Sequence, residues 1–207
     1  MGVFWKGVAA VFAGLLAVSA PASAAGTGQS SPSAREFAET LPPIGFVDFC
    51  QRNPQACEPT TARARKVAMT QQNWLLVRMV NAFVNGSIAP VTDDTLYGTP
   101  EYWTYPADAG DCEDLVLLKK KILSEKGIPA EALRITVVLD EHGEGHAVLS
   151  LVTTKGDFVL DNRRNDIRRW NATGYTMLKR NTAQAPRKWF SPEPMHSQPA
   201  LAGTASK

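Results

Sequence analysis

Apolar positions in this chain follow a helical period in two stretches and a strand period in a third. From Asp111 to Lys126, Leu115, Leu118, Ile122 and Leu123 fall on one face, which predicts a helix. Asp111 stands at its N-cap, with Asp114 three residues on and able to reach back. Lys119, Lys120 and Lys121 suit the negative C-terminal end, and Gly127 and Pro129 stop it. From Ala62 to Asn85, Val67, Trp74, Leu76 or Val77, Val80, Phe83 and Val84 predict an earlier helix ended by Gly86. Its aromatics are expected in the core. The mixed Pro, Asp, Gly and aromatic residues from Ile88 to Tyr105 read as a long ordered loop.

After residue 133 the pattern shortens. Arg134 to Leu139, His146 to Val152 and Asp157 to Asp161 read as strands, joined by the polar turn DEHGEG and by Thr153 to Gly156. Two hairpins in series make an antiparallel sheet. Helices followed by a strand meander predict an α+β fold, with the N-terminal helices packed on the sheet.

The ends read differently. Residues 1–24 carry Lys6, an apolar run and then Ala22-Ser23-Ala24, the pattern of a cleaved export signal. The run is short for a membrane span. Residues 25–36 are expected to be a flexible lead-in, 37–190 the folded domain, and 191–207 an unstructured tail that includes His196.

Composition narrows the classes. The 207 residues are 44% hydrophobic and 20% charged, so the chain is neither disordered nor fibrous. Its 22 basic and 20 acidic residues nearly balance, which argues against a nucleic-acid partner. There is no Walker A loop, GxGxxG, HExxH or CxxC. Of three cysteines, Cys50 and Cys57 flank Asn53-Pro54. In an oxidising compartment they are expected to form a disulfide; the alternative is two buried thiols.

Cys112 is then the odd cysteine, at the first position of the predicted helix. A helix N-terminus favours thiolate, the nucleophilic form. Strand parity adds two groups. If Val152 pairs with Asp157, Val148 falls opposite Asp161, and His146 lies on the same face, diagonal to Asp161. Any even-length turn keeps that face. Asp161 would steady the imidazole of His146, and His146 would face the thiol of Cys112, the logic of covalent acyl transfer. Asp111, Glu113 and Asp114 disfavour a thiolate by like-charge repulsion. A calcium ion on carboxylate oxygens would offset them; the plainer alternative is that they only cap the helix. The backbone N–H of Cys112 is a natural oxyanion donor, and Trp103 and Tyr105 are candidates for a second. Residues 161–169 are basic and read as a solvated loop, and His142 as a solvated turn residue.

GDCEDLVLLKK from Gly110, HAVLSL from His146, FVLDN from Phe158, FCQRNPQAC and YGTPEYW together resemble the bacterial transglutaminase-like cysteine peptidases, the LapG-like periplasmic proteases. The resemblance covers most of the chain after the leader. It implies a papain-like, transglutaminase-core fold. It implies Cys112 as nucleophile, His146 as base and Asp161 as orienter. LapG-type members cleave a large surface adhesin and so release biofilm cells. Some bind calcium through acidic residues beside the nucleophile, which by position are Asp111 and Glu113. Some are restrained by an inner-membrane receptor. Leu115 and Val116 depart from the Tyr-Ala found in many relatives. The resemblance therefore implies a periplasmic cysteine endopeptidase with a protein substrate. A transglutaminase, and a non-catalytic module holding calcium or a peptide, remain open because all three share the site.

Overall fold

The computed structural model describes residues 1–3 and 33–191. The rest of the expected leader and the tail after residue 191 lie outside the described residues. In chain order the elements are β1 (Ala38–Thr40), α1 (Ile44–Arg52), α2 (Gln71–Ser87), β2 (Ala89–Pro90), α3 (Asp93–Tyr97) and β3 (Ala109–Gly110). There follow α4 (Cys112–Glu125), β4 (Leu133–Leu139), β5 (Gly145–Thr153), β6 (Gly156–Leu160), β7 (Arg168–Arg169), β8 (Thr176–Asn181) and β9 (Trp189–Ser191). Seven strands form one sheet in the order β1-β9-β8-β4-β5-β6-β7, every neighbouring pair antiparallel. The short β2 and β3 pair in parallel beside it. This is the α+β fold the sequence predicts.

The helices cover one face of the sheet. Phe46 and Phe49 of α1, Val77 and Val84 of α2, and Leu117 and Leu123 of α4 pack with Leu133, Ile135, Leu149, Leu151 and Leu160 of the strands. Each fully buried side chain of this size contributes about 1.5–3 kcal/mol. A smaller cluster on the other face joins Val138, Val148, Val159 and Met177 to Ala34, with Trp170 and Tyr175 at its margin. Cys50 and Cys57 are disulfide-bonded, which leaves Cys112 as a free cysteine.

Several boundaries move. α2 starts at Gln71, not near Ala62, because Thr70 caps it, its Oγ1 accepting from Asn73 N–H at 3.1 Å. Before it, Val67 is drawn onto β5, its N–H and C=O bonded to Val152 and Thr154 at 3.0 Å each. Phe83 is not in the core: with Leu75 and Met79 it forms an exposed stripe one helical turn apart. The expected loop 88–105 contains β2 and α3, the latter ended by Gly98 at φ 65°. The β5–β6 turn is two residues, Thr154 and Lys155, rather than four, so the parity survives.

Of the lead-in only residues 33–36 are described, and these are held where flexibility was expected. Ala34 N–H donates to Asp157 Oδ2 at 3.1 Å, and buried Arg180 bonds both Asp157 Oδ2 (2.9 Å) and Ala34 O (2.7 Å). Glu36 pairs with Arg134. At the other end Ser191 still belongs to β9, opposite Ala38. No helix of the described residues is long and apolar enough to cross a membrane.

Candidate active site

α4 begins at Cys112, immediately after β3, so the chain must turn sharply into the helix. Gly110 permits this, since a Cβ there would stand 2.6 Å from Asp114 Oδ2 and 3.0 Å from Pro106 Cβ. The half-buried thiol of Cys112 donates to Glu113 Oε2 at 3.0 Å and is met by the backbone N–H of Ala147. That N–H is available because β6 ends opposite Leu149 and leaves the start of β5 open on that side. Burial, then the charge and hydrogen bond of Glu113, push the thiol well above its ordinary pKa.

His146 follows Gly145 at the start of β5, and its side chain is 2% exposed. Its Nε2 lies 3.0 Å from Asp161 Oδ1, and the side chain of Asp161 is equally buried. Asp161 also accepts from Arg163 N–H at 3.0 Å and from the Tyr175 hydroxyl at 2.7 Å. Burial alone would raise this carboxyl; the bonds from His146, Arg163 and Tyr175 outweigh it and bring it down to about 2. An ionised Asp161 only accepts, so Nε2 carries a proton and Nδ1 is the ring nitrogen left free of that bond. The Tyr175 ring meets the imidazole edge-on, centroids 5.8 Å apart. Burial and the bond to Asp161 push its hydroxyl up to about 12, so it remains a donor.

Beside the thiol lies an acidic group. Carboxylate oxygens of Asp93, Asp111 and Glu113 sit within 4.8 Å of one another. Asp93 N–H donates to Asp111 Oδ2 at 3.2 Å, and Thr104 N–H to Asp114 Oδ1 at 2.7 Å. Tyr102 N–H donates to Asp93. Still, Asp93 Oδ1, Asp111 Oδ1 and Asp114 Oδ2 are buried without a partner. Burial raises Asp114 to about 7 despite the Thr104 bond, and burial with the nearby Asp111 raises Glu113 as well.

The structure thus brings His146 onto Asp161 and brings Cys112 to the residue next to His146. The thiol's hydrogen bond goes to Glu113, however, not to the imidazole. Asp111 occupies the N-cap without a side-chain bond to the helix, and Asp114 turns to Thr104 instead of reaching back. The N–H groups of Asp93, at the start of α3, and of Thr104 out-compete the helix for the two carboxylates. The two candidates for a second oxyanion donor are engaged elsewhere. Trp103 Nε1 bonds Glu101 Oε2 at 2.8 Å, and Tyr105 packs on Phe49 and lines a cavity of about 240 Å³ toward the far end of α4. The basic loop is only partly solvated: Arg163 pairs with Asp140, Arg164 approaches Asp161 Oδ2 at 3.5 Å, and Arg168 bonds Asp166 at the surface. Asp93 and Tyr175 were not legible as site residues, since no local pattern marks either.

A family model described as bacterial transglutaminase-like cysteine proteinase BTLCP matches residues 36–196. No curated protein matches the chain. Among solved structures, calcium-bound Legionella pneumophila LapG shares 21% identity over 76% of this chain and 84% of its own, at a TM-score of 0.50. The EGTA-treated form shares 22% over 70% and 75%, again at 0.50. These likenesses agree with the fold read from the strands and helices. With the family match spanning the whole folded region, the chain belongs to the bacterial transglutaminase-like cysteine proteinases and is a cysteine peptidase.

Proposed function

We propose that this peptidase is an exported endopeptidase working through Cys112, His146 and Asp161, and that calcium supports it. The observation that carries the reading is the buried 3.0 Å bond between His146 Nε2 and Asp161, two residues that strand parity puts on one face beside a helix-start thiol. Cys112 Sγ attacks the substrate carbonyl carbon, and its proton passes to His146 Nδ1. Asp161 holds the imidazole and stabilises its positive charge. The unpaired N–H of Cys112 at the helix start faces the developing oxyanion. His146 then gives the proton to the leaving amine, and water hydrolyses the thioester with His146 as base.

The acidic group fits calcium. Asp93, Asp111 and Glu113 offer hard oxygen donors within 4.8 Å, and buried oxygens of Asp93 and Asp111 lack partners. Calcium bound there supplies positive charge beside a thiol that the bare carboxylates hold protonated. A relative of this fold, LapG of Legionella pneumophila, has been solved in a calcium-bound form.

Residues 1–24 support export, and with it a periplasmic site of action. On the resemblance of the site motifs to LapG-type proteases, the substrate is a large surface adhesin whose cleavage releases biofilm cells, and an inner-membrane receptor regulates it. Mass spectrometry of released surface proteins tests this in cells carrying the natural chain or Cys112→Ala. Loss of a released fragment and of all hydrolysis in Cys112→Ala is expected. Retained hydrolysis in that variant refutes the assignment, and incorporation of a fluorescent amine into casein marks acyl transfer instead.

A further inference from the structure

Between Leu160 and Arg168 the chain leaves the sheet, so its carbonyls lack ladder partners and need other donors. α2 supplies them. Asn85 Nδ2 bonds Asp161 O at 2.9 Å, Arg164 O at 3.2 Å and Asn165 Oδ1 at 2.9 Å. One turn earlier, fully buried Asn81 reaches Arg164 O at 3.3 Å and Asn165 O at 3.4 Å. Spacing of four puts both amides on one helix face. Asparagine is a poor helix former, and both amide oxygens are buried without partners. The helix therefore accepts two unfavourable residues whose donors all serve this loop. The same buried side of the helix carries Val77, one turn before Asn81, and Val84, which pack into the core shared with Leu117 of α4, the helix that begins at Cys112.

We propose that Asn85 is a positioning residue: by holding the main-chain carbonyl of Asp161 it fixes that carboxylate behind His146, while Asn81 secures the rest of the loop. The packing of α2 against α4 then sets the separation of nucleophile and orienter. This rests on the Cys112–His146–Asp161 reading above.

Two readouts test it in the full chain: the rate of Cys112 alkylation by iodoacetamide at pH 7, and the downfield proton resonance of the His146 N–H bonded to Asp161. Asn85→Ala is expected to slow alkylation about tenfold and to broaden or lose the resonance. Asn81→Ala, which touches only the far part of the loop, is expected to slow it less than threefold. Asn85→Asp keeps the size but turns acceptors toward the carbonyls, and is expected to fall as far as Asn85→Ala; it decides the matter if the alanine variant does not fold. Val80→Ala, in the core of the same helix, controls for lost stability and is expected to keep the resonance. The proposal is overturned if Asn85→Ala and Asn85→Asp keep both signals, or if Val80→Ala loses them equally. A natural chain that shows neither the resonance nor labelling defeats the triad reading instead.

Discussion

Two sets of carboxylates in the candidate site are in opposite condition. Asp161 is complete. Three donors converge on it, and it stays ionised with a pKa of about 2 in spite of burial. The group of Asp93, Asp111, Glu113 and Asp114 is incomplete. Its members repel one another and leave three oxygens orphaned, and burial pushes Asp93, Glu113 and Asp114 up, Asp114 to about 7. The same chemical group at similar depth thus serves two ends. A satisfied carboxylate can orient a base without any addition, whereas an unsatisfied set is stable only when positive charge arrives.

Breaking the complete side has the largest effect. Asp161→Asn lets His146 take the wrong tautomer, and turnover is expected to fall on the order of 10³-fold or more, with folding retained by circular dichroism. The incomplete side is sharpened by its ligand. Calcium at about 100 times its dissociation constant is expected to raise stability by about 2.7 kcal/mol, with EGTA reversing it in thermal unfolding. In Asp93→Asn the response should shrink or vanish, and an unchanged response removes Asp93 from the site. Tyr175→Phe deletes one of the three donors to Asp161. A loss of about 1 kcal/mol, roughly fivefold in turnover, is expected from a single hydrogen bond. An unaltered rate would mean that two donors suffice.

The smallest effect concerns stability alone. Lys119 is fully buried on α4, its Nζ has no partner, and burial lowers its pKa to about 7 against a weak pull from Asp161. Between pH 7 and 10.5 the unfolded chain holds a proton there that the folded chain has lost, so this group's contribution to stability rises with pH across that window. Lys119→Met removes the penalty. It is expected to be more stable than the natural chain at pH 7, with the gain shrinking as the pH rises to 10.5, read from urea unfolding at the two pH values. A gain that does not shrink with pH would show that packing, not charge, is responsible.

The sequence disclosed what local rules control. The stripe of Leu115, Leu118, Ile122 and Leu123 put Cys112 at a helix start, and strand parity put His146 and Asp161 on one face. It could not disclose what distant segments supply. Asp93 sits in a stretch without periodicity, and its place beside Asp111 depends on the β2–β3 pairing. Asp114 has the spacing of a capping residue, yet Thr104 N–H competes for it and wins. Asn85 looks like an ordinary position near a helix end until the 161–165 loop folds against it. Phe83 fits the apolar period but stands on the outer side of α2, because periodicity gives a face only when the helix axis and start are known.

Arg163 has a practical consequence for anyone who would modify this enzyme. Its backbone N–H holds Asp161 and its guanidinium holds Asp140, whose carboxylate also gathers the N–H groups of His142 and Glu144. The exposed hairpin tip at Glu141 to Glu144 looks like a convenient place to graft an epitope or a fluorophore. It is mechanically braced to Asp161, so on the proposed triad an insertion there would report on its own disturbance of catalysis rather than on the untouched protein.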